Sequence, residues 1–182
     1  MRALALLLLA TLAACATQAP PPPPVVNTAE ALRQRLPDTI AGFRRGSSTT
    51  LSEPSTGEGT ELAYATANRA IAGYVQVLRR DPALAPGATE EELVRFVADS
   101  TSGTPMHRRL RQRAVIVLPA AQPALRCAEL EGTYGRQAVE SLACVGIFGG
   151  QLVRLRLTHI RRESRMAEAR GFAEALAASL TP

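Results

Sequence analysis

The chain has 182 residues, enough for one domain with a single core, and with 4% aromatic residues and no Trp that core must rely on Leu, Val, Ile and Ala. Its formal charge of +5 comes from 21 basic residues, every one of them Arg. Arginine scattered along a whole chain is a compositional habit, whereas a nucleic-acid binder concentrates basic residues on one face, so no nucleic-acid partner is expected.

Met1-Arg2 is followed by an apolar run from Ala3 to Leu12. About ten residues at 1.5 Å rise cover roughly 15 Å, half of a ~30 Å hydrocarbon core, so the run reads as a signal-peptide segment and not a spanning helix. It ends in Leu12-Ala13-Ala14-Cys15, which resembles the lipobox of bacterial lipoproteins. That resemblance implies cleavage before Cys15, with residues 1–14 as the signal peptide. It also implies a diacylglyceryl group on Cys15 and a further acyl chain, such as palmitate, on the new amine; more than one chain is what stable anchoring requires. An ordinary secretory signal with an incidental Cys15 is the alternative. Ala16, where an Asp would signal inner-membrane retention, implies the outer membrane, with the protein facing the periplasm. Residues 15–27 then form a tether. Its five successive prolines, Pro20 to Pro24, make a stiff polyproline rod, and at ~3.1 Å per residue the whole tether reaches about 35 Å.

Residues 28–182 are expected to form one globular domain. Thr28 opens a short helix, Ala29 to Leu36, which Pro37 stops. Gly42 to Leu51 reads as a strand, followed by a loop at Pro54 to Gly59. Glu61 to Thr66 and Ala70 to Arg79 read as two further strands. Thr89 and Glu92 have capping-box spacing at the start of a helix, and Glu90, Glu91 and Glu92 suit its positive end. Leu93, Phe96, Val97 and Ser100 give that helix one apolar face. The three glutamates do not converge as metal ligands, because adjacent residues on a helix point apart. Ser102 to Pro105 breaks the chain, and the basic run His107 to Arg113 leads into a strand from Ala114 to Leu118. Residues 124–131, 139–147 and 151–160 read as three more strands. A last helix, Ser164 to Leu180, carries the stripe Met166, Ala169, Phe172 or Ala173, Leu176 and Leu180.

Turn chemistry sets a register for the last three strands. With Gly135-Arg136 and Gly149-Gly150 as two-residue hairpin centres, Cys127 falls opposite Cys144, and Cys144 opposite Leu155. Cys127 and Cys144 then occupy a non-hydrogen-bonded pair, where Cα atoms lie about 4.5 Å apart, within reach of a disulfide. In an exported protein these two cysteines, left over after Cys15, would form that bond; two buried free thiols are the alternative.

The same register sorts side chains between the faces. Leu125, Cys127, Leu142, Cys144, Phe148, Val153, Leu155 and Leu157 share a face expected to lie under the helices. Arg126, Ala128, Ser141, Ala143, Arg154, Arg156 and Thr158 share the other. Arg126, Arg154 and Arg156 are therefore a candidate anion-binding patch for a lipid or glycan, against the plainer reading of a solvated sheet face. Glu131, Glu140 and His159 make a row across the three strands near one end. It reads either as a site sharing a metal or proton or, more plainly, as strand ends running out into water.

No Gly-x-Ser-x-Gly, His-Glu-x-x-His, Cys-x-x-Cys or Gly-x-x-x-x-Gly-Lys motif occurs. No catalytic residue, metal ligand or cofactor is assigned from sequence. The order of elements predicts an α+β fold, an antiparallel sheet of about six to seven strands packed with two main helices. In outline this is similar to the Mog1/PsbP-type fold. Gly42-Phe43-Arg44, Tyr64, the 70–79 strand and the Gly149-Gly150 hairpin before the final helix carry the likeness, across roughly residues 40–180. The resemblance implies an accessory or assembly factor and not an enzyme. The expected function is thus a non-catalytic, membrane-anchored envelope lipoprotein, a binding or assembly accessory module for an envelope protein partner; the alternative is a binder of anionic lipid or glycan through the basic sheet face, and a hydrolase is the least favoured reading.

Overall fold

Apolar strands with glycines at the reversals make the second half of the chain a meander, and a computed structural model shows how the first half joins it. The structure describes residues 28–53, 57–102, 108–119, 124–162 and 164–181. Its helices are α1 (Thr28–Arg35), α2 (Thr89–Thr101, preceded by a 3-10 turn at Pro86–Ala88) and α3 (Met166–Leu180). The strands are β1 (Thr39–Ile40), β2 (Phe43–Glu53), β3 (Gly57–Thr66), β4 (Ile71–Leu78), β5 (Arg108–Leu118), β6 (Leu125–Tyr134), β7 (Gln137–Phe148) and β8 (Gln151–Ile160). All join one antiparallel sheet in the order β1-β2-β3-β4-β8-β7-β6-β5. The fold is α+β as expected, but with eight strands and three helices among the described residues. The additional strand is β1, whose two residues pair with Arg44 and Phe43 and are too few to show periodicity.

The predicted register is the observed one. Cys127 faces Cys144, Cys144 faces Leu155, and the row Glu131–Glu140–His159 crosses three strands. Gly149 and Gly150 have φ of +54° and +76°, the pair of left-handed residues that a tight hairpin turn demands, and Gly135 turns the other hairpin at +58°. Cys127 and Cys144 form a disulfide with their Cα atoms 4.0 Å apart, fully buried. It closes a loop of 17 residues in sequence separation. Replacing both cysteines by Ala is expected to lower stability by about 3 kcal/mol, the chain-entropy value for such a loop. The urea midpoint measures this loss. An unchanged midpoint, or full alkylation of the unreduced native protein, would show that the bond contributes nothing.

Helices cover both faces, which sequence reading did not foresee. On the disulfide face, α1 and α3 lie over Leu125, Leu142, Val153, Leu155 and Leu157, with Ala169, Phe172, Leu176 and Leu180 of α3 inserted among them. Phe172 meets Phe43 edge-on at 4.7 Å and Tyr64 at 5.2 Å, and the Tyr64 hydroxyl donates to the Pro37 carbonyl at 2.8 Å. On the opposite face α2 lays Leu93 and Phe96 over Leu78, Ala128, Leu130, Ala143, Val145 and Leu152. The face expected to be solvated is therefore a second core. Strand β7 runs Leu142-Ala143-Cys144-Val145 with no polar alternation, the pattern of a strand buried on both sides.

Strand β5 forms one margin of the sheet. It begins at Arg108, earlier than the predicted Ala114, because Arg109 and Arg111 alternate with the buried Leu110 in strand register. A register shift between Gln112 and Ala114 bends it, and Arg109, Arg111, Arg113, Val115 and Val117 are exposed. No helix among the described residues is long and apolar enough to cross a membrane.

Candidate functional site

The three candidate arginines do not make an open patch. Arg154 and Arg156, on β8, are only 4% and 6% exposed. Arg126 alone stays near solvent, paired with Glu90 at 3.3 Å beside a groove lined in part by Pro86, Thr89, Val117 and Ile147. The alternation Leu-Val-Arg-Leu-Arg-Leu was read as dry on one side and wet on the other. In the structure the arginine side is roofed by α2 and by tyrosines.

Arg154 is held by the first turn of α2. Its Nη2 donates to Glu92 Oε2 at 3.2 Å and its guanidinium lies over the Phe96 ring at 5.1 Å. Glu92, itself buried, also accepts from Arg95 Nη1 at 2.8 Å. Glu92 therefore does not fold back as the expected capping box. The N-cap position is Ala88, and Thr89 Oγ1 donates to the Pro86 carbonyl. The carboxylate serves the sheet instead, because an arginine buried at β8 needs a counter-charge. Arg80 lies near the same pair: burial lowers its pKa, opposed by the charge of Glu92.

Cross-strand from Arg154 stands Gln76 on β4, whose Nε2 donates to Glu61 Oε2 at 2.9 Å. The Gln76 Oε1 and the Arg154 Nε are both buried without a hydrogen-bond partner among the described residues. Cross-strand from Arg156 stands Tyr74. Burial raises the Tyr74 phenol pKa, opposed first by the charge of Arg156 and then by a hydrogen bond from it. On the other side Arg156 Nη2 donates to the Tyr134 hydroxyl at 2.6 Å. From the sequence Glu92 reads as a helix cap, and Gln76, Tyr74 and Tyr134 are not singled out as site residues. The available signal was the apolar run of β7, which announces a covered face and so requires partners for any arginine on it.

The row Glu131–Glu140–His159 is buried, not frayed into water. Glu131 pairs with Arg111 and, at 3.7 Å, with Arg161. Glu140 accepts from Ser164 Oγ at 3.0 Å and lies 3.6 Å from His159 Nε2, while His159 Nδ1 bonds the Ile160 carbonyl at 3.2 Å. Glu129, on the same face, is held by Arg170 of α3. These carboxylates are joined to arginines, and among the described residues no three His, Cys, Asp or Glu converge as metal ligands. Ser164 donates to Glu140 and not to the imidazole, so the nucleophile-to-base bond of a hydrolytic triad is not formed here. Cys15 lies outside the described residues. No family model matches the chain, and no curated protein matches it.

Proposed function

We propose that the chain is a lipid-anchored protein of the cell envelope, carried on the periplasmic side of the outer membrane. Its α+β domain acts there as a non-catalytic binding or assembly module for an envelope protein. The observation that carries this reading is Leu12-Ala13-Ala14-Cys15 at the end of a short apolar run. The Cys127–Cys144 bond supports it, since structural disulfides form in oxidising compartments. The element order, with its likeness to Mog1/PsbP-type accessory proteins, supports the assembly role. With Arg154 and Arg156 buried, the alternative of an anionic lipid or glycan surface rests on Arg126 alone.

Metabolic labelling with palmitate tests the anchor. The wild type is expected to take up label and to sediment with membranes, and Cys15→Ala is expected to lose both. Equal labelling of the two proteins, or Met1 retained on a cytosolic product, would overturn the proposal.

A further inference from the structure

Seven acidic or basic side chains are buried among the described residues, Glu92, Glu129, Glu131, Glu140, Arg154, Arg156 and His159. Every glutamate in this set has an arginine within ion-pair distance, Arg154 has Glu92, and His159 has Glu140. Arg156 is the exception. Its neighbours are two phenols, Tyr134 at 2.6 Å and Tyr74, whose pKa burial raises; the Glu61 carboxylate also acts on Tyr74, and among the described residues none makes an ion pair with Arg156. An arginine does not escape burial by losing its proton, so a guanidinium withdrawn from water calls for an anion.

Arg156 lies beside α2 and not beneath its centre. The helix packs on β5, β6 and β7, and it reaches β8 through Glu92 and Phe96 at Arg154. Tyr74 and Tyr134 are half-buried, as is Thr158 farther along the same face of β8. The phenol rings therefore form the wall between the guanidinium and solvent. Each phenol can donate its hydroxyl hydrogen outward while accepting from Arg156. Two residues away on the same face, the Arg154 Nε–H is buried and without an acceptor. One unpartnered donor, Arg154 Nε, and one unpartnered acceptor, Gln76 Oε1, thus lie next to the phenols.

We propose that Arg156, Tyr74 and Tyr134 form a binding site for a small oxyanion, a carboxylate or phosphate group, held by the two phenol hydroxyls in the field of the guanidinium behind them. Carboxylate and phosphate both accept such hydrogen bonds and carry the charge that the guanidinium calls for. The site goes beyond the anchored-module reading and does not depend on it, since it makes no use of Cys15 or of any membrane. It also differs from a lipid-facing patch, because the cation is enclosed.

The chain has no Trp and only three Tyr, so its intrinsic fluorescence reports on this place directly. The third tyrosine, Tyr64, is fixed in the other core and gives a constant background. The full-length protein in detergent micelles, in chloride buffer, is titrated with inorganic phosphate and separately with benzoate, against sodium chloride at matched ionic strength. A saturable change in tyrosine emission with at least one of the two anions is expected, and the anion that acts names the ligand class. Arg156→Gln is expected to weaken the response by roughly tenfold or more, and Tyr134→Phe by about fivefold, as loss of the charge and of one hydrogen bond respectively implies. The proposal is overturned if neither anion differs from chloride, or if Arg156→Gln responds as the wild type does. Should Arg156→Gln not fold, Tyr134→Phe decides in the same way.

Discussion

Glu92→Ala is expected to destabilise the protein by about 3–5 kcal/mol, the cost of leaving a buried charge without its partner. Both groups are inside, with Arg154 at 4% and Glu92 at 5% exposure, and water cannot take over from the lost carboxylate. The Arg154 guanidinium would keep only the face of Phe96. A worth of that size does not mean that the pair itself is strongly stabilising. Desolvation nearly offsets the attraction in such pairs, so a double variant Glu92→Leu with Arg154→Met is expected to recover most of the loss. Denaturant midpoints of the wild type, the single variant and the double variant give the answer. If the double variant is as unstable as Glu92→Ala, the orphaned charge is not the cause. Salt should change the wild-type value little, because a buried pair is poorly screened.

The second large effect is expected at Phe172. With four Phe, three Tyr and no Trp in the whole chain, the contact of Phe172 with Phe43 and Tyr64 gathers three of its seven aromatic rings around one point of α3. Phe172→Ala removes a fully buried ring and leaves a cavity bounded by two edge-on partners, at a cost of about 3–5 kcal/mol. Tyr64 is also hydrogen-bonded to Pro37, so its ring is poorly free to collapse into the gap. A loss under about 1 kcal/mol would place the substitution with surface changes and would mean that α3 docks loosely. The same urea measurement decides.

These effects fall on the two sides of the sheet, and the sequence was legible on only one. Turn glycines and alternation specified the β6–β7–β8 register, and with it the Cys127–Cys144 pair, because a slip of one residue would turn Leu142, Cys144 and Leu155 together away from α3 and part the two cysteines. The α3 stripe was legible for a similar reason: its small and large apolar residues recur at helical spacing. Arg154 and Arg156 were misplaced because alternation records which residues face together and not what covers them. The covering group, Glu92, lies 62 residues away in sequence, on a helix whose acidic first turn has an adequate local explanation as a cap. The row Glu131–Glu140–His159 was in the right register and the wrong environment. Its neutralising arginines, Arg111 and Arg161, come from a strand that begins earlier than expected and from the turn after β8.

The margin of the sheet at β5 has a bearing on how this chain can vary. An open row of backbone donors and acceptors templates the addition of foreign strands, and apolar residues at Val115 and Val117 would favour that growth. The guanidinium groups at Arg109, Arg111 and Arg113, with the kink beside them, stand against it. Exchanging Arg109 and Arg113 for threonine or valine would leave the interior untouched and still favour growth along this edge, whereas exchanging Arg111 would also take a partner from the buried Glu131. Arg109 and Arg113 thus bear on solubility alone, and Arg111 on solubility and the interior together.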